Sequence, residues 1–527
     1  MSADSNYKYW VQFTDKFGTQ YTLDNPSQFL SEKSIQRREK QGLAIDSTDL
    51  PVNKTYIDSV LSYGASLHTT SKWFNGITVA VSDTTVISFI QRLSFVSNVE
   101  KTFVPNMSRS AKIDERKFTK KSVSISNRGY GNSFSQINMH NGTWLHQAGF
   151  KGHGMQIAVL DAGFLNVNTN RVFAQARNNG QILGTRDFVN SSSDIYQENY
   201  HGSQVFSILA ANDYDNFIGT APEASYWLIR TEDANSEFPV EMDNMVSGME
   251  FADSVGVDII TSSLGYFFFD DSTMNLSYNH LDGKTYRASI AQTLCVKKGM
   301  VVVTSAGNEG AKEWHYIVVP ADADSIIAVG AVTSALERSA FSSCGPAADG
   351  RIKPTVVALG TGTAVINELG DVSANSGTSM ATPIISGLAA CLWQALPTLS
   401  NVEIIDLIKR HSSKYDAPDN EIGYGIPDFY GAYMSAAQNN TTLLNSVDLV
   451  TIYPDSIKDT LTINIDPSVV SRNPEFSLFS MTGKRKKKLK LVDTRSVIDL
   501  SELKDGAYML VIKLGDITIF RHKLIKE

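Results

Sequence analysis

Residues 157–163 read Ile157-Ala158-Val159-Leu160-Asp161-Ala162-Gly163, an unbroken apolar run that stops at a carboxylate and a glycine turn. A strand wetted on one face alternates apolar and polar side chains. A short continuous run means that both faces are covered, as in a parallel sheet between layers of helices. The same pattern recurs at 226–229, 257–261, 300–304 and 326–329. Helical segments at 202–211, 241–254 and 287–298 lie between these runs. The alternation predicts an α/β region with helices on both faces of a mainly parallel sheet. Active sites of such sheets form beyond the carboxyl ends of the strands, so Asp161 stands on the edge where chemistry is expected.

The chain of 527 residues exceeds what one core supports, and about two to four domains are expected. With 42% hydrophobic and 19% charged residues it has a globular composition. A net charge of −8 argues against a nucleic-acid binder. No apolar run is long enough to span a bilayer, so no transmembrane segment is expected. The opening Met-Ser-Ala-Asp-Ser-Asn-Tyr lacks the basic and apolar regions of a signal peptide. Cys295, Cys344 and Cys391 are odd in number and far apart, which gives neither a disulfide framework nor metal-ligand spacing.

Composition divides the chain further. Residues 1–105 form an α+β pattern, with strands at 9–13, 76–81 and 96–104 and helices at 26–41 and 84–93. Residues 106–129 are rich in Lys, Arg and Ser and read as an exposed, cleavable linker. The α/β region covers 130–438, a polar hinge 439–446, and short strands in 447–527 predict a small all-β sandwich.

Gly377-Thr378-Ser379-Met380-Ala381-Thr382-Pro383 opens a helix, with Pro383 assigned to its first turn. Ser379 then stands near a helix N-terminus, whose free N–H groups and dipole favour developing negative charge. His201-Gly202 opens another helix, and the run at 300–304 leads into Ser305-Ala306-Gly307-Asn308. Singly, each residue has an ordinary reading: a strand-end cap, an incidental histidine, a turn asparagine, a helix cap. Together they supply a hydroxyl nucleophile, its base, a carboxylate to hold the base, and a donor for an oxyanion.

In the chain order Asp, His, Ser, these motifs resemble those of the subtilisin-like serine proteases (subtilases) over most of 130–438. The resemblance implies a three-layer α/β sandwich and an Asp-His-Ser triad acting through an acyl-enzyme. Ser379 would be the nucleophile, His201 the base and then acid, and Asp161 the orienting carboxylate. Asn308 would join the Ser379 N–H at the oxyanion. Ser263-Leu264-Gly265 resembles the family's substrate-lining segment, where a peptide adds as an extended strand. Ala162 and Ser203 depart from the family's usual hydroxyl residue and Thr.

The run Tyr266-Phe267-Phe268-Phe269 reads either as a substrate pocket or as buried packing. The oxygen-rich Asp270, Asp271, Asn279 and Asp282 match no calcium loop. No metal and no cofactor are assigned, with a structural calcium left as the alternative.

The N-terminal unit resembles an inhibitory subtilase propeptide, which implies an intramolecular inhibitor released by a cut between about residues 104 and 126. The C-terminal unit resembles the sorting domain read by Bacteroidetes type IX secretion machinery. Asp455 and Ser456 replace the usual Asn-Pro after Tyr453-Pro454. The basic run 484–490 reads as a solvated hairpin. The expectation is a secreted or surface-associated serine endopeptidase made as a zymogen and acting on proteins and peptides. The alternative is a catalytically silent binding protein on the same scaffold.

Overall fold

A computed structural model describes residues 6–105, 129–438 and 450–526, apart from 454–455, 466, 471–473, 482–483 and 515–516. The expected linker and hinge, including most of the maturation window, lie outside these residues.

In the N-terminal domain, β1 (Tyr7–Phe13), β2 (Ser66–Ser71), β3 (Gly76–Val81) and β4 (Val96–Phe103) form an antiparallel sheet ordered β2-β3-β1-β4. The helix expected at 26–41 is interrupted. A 3-10 turn spans Pro26–Gln28, and Ser31 then accepts the Ser34 N–H to start α1 (Glu32–Gln41). The serine side chain supplies a partner that a continuing helix would not need. The helix expected at 84–93 is a 3-10 turn (Thr84–Val86) and a short helix (Ile87–Ile90). α2 (Lys54–Leu61) and β2 were not anticipated.

The central sheet holds β5 (Gln156–Asp161), β6 (Ile182–Asp187), β7 (Ser225–Arg230), β8 (Ile259–Ser262), β9 (Val301–Ser305), β10 (Ile327–Val332) and β11 (Val356–Leu359). All neighbours pair in parallel, in the order β11-β10-β9-β8-β5-β7-β6. From β5 the chain passes to the edge strand β6, returns inward through β7, and from β8 builds outward on the other side of β5. The order therefore reverses beside β5, which places a crevice at the carboxyl ends of β5 and β8. Helices α3 (His201–Ala210), α4 (Val240–Val255), α5 (Arg287–Lys297) and α6 (Thr378–Ala395) cover the sheet, α3 against α6 and α4 against α5.

The N-terminal sheet and α1 lie on α4, and their contacts are unusually charged. Asp253 of α4, fully buried, pairs with Arg37, Arg38 and Lys72. Glu250 accepts the Ser71 hydroxyl and the N–H groups of Lys72 and Trp73. Arg287 of α5 joins Asp243 to Glu100 and lies over the Trp10 ring. Burial alone would raise the Asp253 carboxyl, but the charges of Lys72, Arg37 and Arg38 hold it far below the usual range. Burial keeps the carboxyls of Asp243 and Glu250 raised.

The C-terminal strands form two sheets. One joins Val450–Tyr453, Thr460–Ile465 and Arg495–Asp499; the other joins Ser456–Ile457, Ile517–Lys526, Gly506–Leu514, Glu475–Ser480 and Arg485–Lys490. Leu461, Ile463 and Ile465 alternate inward, as do Phe476 and Leu478. The basic run is an edge strand, with Lys488 paired to Glu475. By packing, residues 143–150 and 430–438 group with these strands, with Trp144 against Tyr430 and Tyr433. No helix among the described residues is long and apolar enough to cross a membrane.

Candidate active site

Asp161 ends β5, fully buried, and its Oδ1 accepts both the Ala162 N–H and His201 Nδ1–H, each at 2.8 Å. The first turn of α3 comes this close because Gly202 has no side chain. A Cβ there would lie 2.2 Å from Gly163 O. Asn199 Oδ1 accepts the His201 N–H at 2.8 Å and fixes the start of the helix. With Nδ1 engaged, Nε2 is the ring nitrogen left for a second partner, and the His201 side chain is 27% exposed. Arg230, buried and paired with Asp187, donates from Nε to Ala162 O at 3.1 Å and holds the loop after Asp161.

Ser379 is the second residue of α6 and 4% exposed. Its N–H is one of the first-turn donors that a helix leaves without an internal partner. Pro383 departs from expectation, because it lies in the second turn and not the first. There it cannot donate to the carbonyl four residues earlier, which is that of Ser379. The Ser263 hydroxyl donates to Ser379 O at 2.9 Å instead. The side chain expected to line the substrate segment thus also anchors the serine's own backbone.

Asn308, after β9, accepts at Oδ1 from the Thr378 N–H (2.9 Å) and the Thr378 hydroxyl (3.1 Å). With its oxygen so occupied, the Nδ2–H groups are the part of the amide left to donate to another partner. Thr378, Asn199 and Arg230 were not singled out in the sequence. Adjacency to Ser379, and an Asx residue just before a helix, were the available signals.

Ser263, Leu264 and Gly265 continue from β8 beside this loop, and the Ser305 hydroxyl reaches Leu264 O at 3.3 Å. The aromatic run divides. Tyr266 is buried with its hydroxyl on Glu232, Phe267 and Phe269 are buried, and Phe268 is 43% exposed beside Trp314.

The expected oxygen-rich patch is spent on local turns. Asp270 accepts the Glu237 N–H, Asp271 caps Thr273, and Asp282 accepts the N–H groups of Lys284 and Thr285. Among the described residues, the carboxylates placed to share a cation are Glu232, Glu237 and Glu241, with ligand oxygens within 4.8 Å of one another. Burial and mutual repulsion push the carboxyls of Glu232 and Glu241 well up, so sharing protons is the other way to relieve the cluster.

The chain is similar to known proteins along most of its length. Residues 75–425 match the Subtilase family, residues 8–120 a Peptidase S8 propeptide domain of Bacteroidota, and residues 451–527 a Secretion system C-terminal sorting domain. Subtilisin E of Bacillus subtilis (strain 168) is 30% identical over 270 residues, 50% of this chain and 62% of that protein. The chain therefore spans less than two thirds of that relative's length. A subtilisin of Bacillus pumilus is 30% identical over 270 residues, covering 86% of its length. Among solved structures, MycP1 from the ESX-1 type VII secretion system is 19% identical, with a TM-score of 0.46 over 59% of this chain and 87% of that one. By the match over 75–425, which carries the Asp161, His201, Asn308 and Ser379 motifs, the chain belongs to the subtilase family.

Proposed function

We propose that the protein is a secreted or surface-associated serine endopeptidase made as a zymogen. The observation that carries this reading is the paired fixing of two groups: His201 on buried Asp161, and Asn308 on Thr378, the neighbour of Ser379. Ser379 Oγ attacks a peptide carbonyl while His201 Nε2 takes its proton. Asp161 holds the ring in that tautomer and stabilises the imidazolium. The oxyanion receives the Ser379 N–H and Asn308 Nδ2–H. His201 then protonates the leaving amine, the acyl-enzyme forms, and water activated by the same imidazole releases the acid. Ser263, Leu264 and Gly265 offer the backbone against which the substrate extends.

The N-terminal domain inhibits its own chain until it is cut away. Its position on α4 supports this, as does Phe103, at the end of β4, which packs on Phe238 just before α4. The sorting-domain match supports export by type IX machinery. Labelling by a fluorophosphonate, together with cleavage of a denatured protein, tests the reading. Ser379→Ala is expected to lose about 10⁶ in turnover, the size seen for the nucleophile of subtilisin. It is also expected to stay full length. Absence of labelling at Ser379 in the processed protein refutes the reading and favours a silent scaffold.

A further inference from the structure

In the five-stranded sheet of the C-terminal strands, Phe476, Leu478 and Leu510 are buried on one face. Side chains alternate along a strand, so the residues between them stand on the opposite, outer face. There Lys490 and Lys513 flank Glu475 from either side, and Lys488 lies one row along. Arg485 and Lys523 close the next row, at the two ends of the pair Phe479 and Met509. With strands about 4.8 Å apart and alternate residues about 7 Å apart, the five cations fall within a patch roughly 15 Å on a side.

One acid answers them. Glu475 pairs with Lys488 at 2.7 Å, and among the described residues no carboxylate pairs with Arg485, Lys490, Lys513 or Lys523. Arg485, Lys490 and Lys523 are exposed. Lysines on the edge strand 485–490 have an ordinary use, since they keep an open edge from pairing with another chain. That use does not extend to Lys513 and Lys523, which stand on interior strands of the sheet. Like charges gathered on one face repel, and a chain of net charge −8 gains nothing general from them. Between the cations the surface is apolar, with Phe479 and Met509 half-buried side by side and Val511 on the next row.

The chemistry that matches this face carries negative charge around an apolar region. Four of the five cations are lysines, point charges without the fork that reads planar groups, which disfavours nucleic acid. A soluble polyanion would engage the cations and leave Phe479 and Met509 unused. A phosphate-bearing lipid surface engages both, with headgroups on the cations and apolar side chains at the acyl boundary. We propose that the outer face of this sheet docks the protein on an anionic lipid surface. The inference is independent of the endopeptidase reading.

The test uses the full chain carrying Ser379→Ala, which keeps it intact, and flotation with vesicles of equal parts phosphatidylglycerol and phosphatidylcholine. Binding is expected to these vesicles and not to pure phosphatidylcholine, and to weaken by about tenfold in 0.5 M salt. Replacing Lys490, Lys513 and Lys523 together by glutamine should lower partitioning by about 100-fold. The same change at Lys54, Lys101 and Lys284, exposed lysines elsewhere, alters net charge equally and should leave binding unchanged. Met509→Ser should weaken it by about fivefold. Absence of binding to the anionic vesicles overturns the inference, as does an equal loss in both triple variants. Displacement by dextran sulfate with Met509→Ser unaltered also overturns it, in favour of a soluble polyanion. If the first triple variant does not fold, Lys490→Gln alone, at the exposed edge, decides by a loss of about fivefold.

Discussion

Replacing Asp253 by asparagine is expected to loosen the N-terminal domain selectively. The carboxylate accepts from Arg37 at 2.6 Å, from Arg38 at 2.9 and 3.0 Å, and from Lys72 at 3.2 Å. All three cations belong to the N-terminal domain, whereas Asp253 belongs to α4. Asparagine keeps the shape and removes the charge. Arg38 retains Asp49, and Lys72 retains the Ser254 hydroxyl, but no buried carboxylate replaces the one lost. Breaking one partner out of a buried ionic cluster costs about 3–5 kcal/mol. That is roughly 10²–10⁴ in a dissociation constant.

The assay starts from the Ser379→Ala chain, which by the proposed mechanism cannot cut itself. Mild trypsin nicks the Lys- and Arg-rich stretch 106–128. Serial dilution with size-exclusion chromatography then reads the concentration at which the two pieces separate. Asp253→Asn should raise that concentration by about 100-fold or more. Lys54→Ala, which removes an exposed pair with Asp58, should leave it unchanged. A shift below about tenfold for Asp253→Asn refutes the reasoning, because the cluster would then break even and apolar packing would hold the domain.

Three further outcomes are expected. His140 is buried with Nδ1 on Pro427 O, and burial pushes it down to about 4 from an ordinary 6.5. Between those values the unfolded chain binds the proton and the native one does not. Stability should therefore fall by up to about 3 kcal/mol as pH drops across that window. His140→Asn should flatten the fall in melting temperature between about pH 7 and 4.5, and an unaltered slope contradicts the assignment. Asn308→Ala should lower kcat by about 10²–10³ with little change in KM, read with any cleavable peptide. Ser263→Ala strands the Ser379 carbonyl and should cost about 1–3 kcal/mol of stability in chemical denaturation. Adding Pro383→Ala restores a donor four residues on, and failure of that rescue would show that Ser263 acts elsewhere.

Much of the central sheet is legible in the amino-acid sequence. The central strands β5, β8, β9 and β10 announced themselves because both faces are buried, which leaves no polar residue to break the run. Edge strand β6, reading Ile182-Leu183-Gly184-Thr185-Arg186-Asp187, lacks that signature because it is half wetted. Asp161, His201 and Ser379 stand out because each ends or begins an element, and Asn308 because it lies in the turn that follows β9. The supporting groups do not. Pro383 looked like a first-turn proline because sequence alone does not fix where the helix starts, and Ser263 gained its second role only from that displacement. Arg37, Arg38 and Asp253 do not stand out in sequence from the other charges of their two helical segments. Only their meeting across more than two hundred residues of chain buries them.

The Ser263–Ser379 bond has a consequence for motion. One end belongs to the segment proposed to grip the substrate, the other to the residue proposed to attack it. A proline has removed the intrahelical tether that would otherwise hold that carbonyl to α6 alone. Displacements of the gripping segment and of the nucleophile are therefore correlated by a single hydroxyl. A peptide that draws residues 263–265 toward itself draws Ser379 in the same direction, so docking and alignment become one movement.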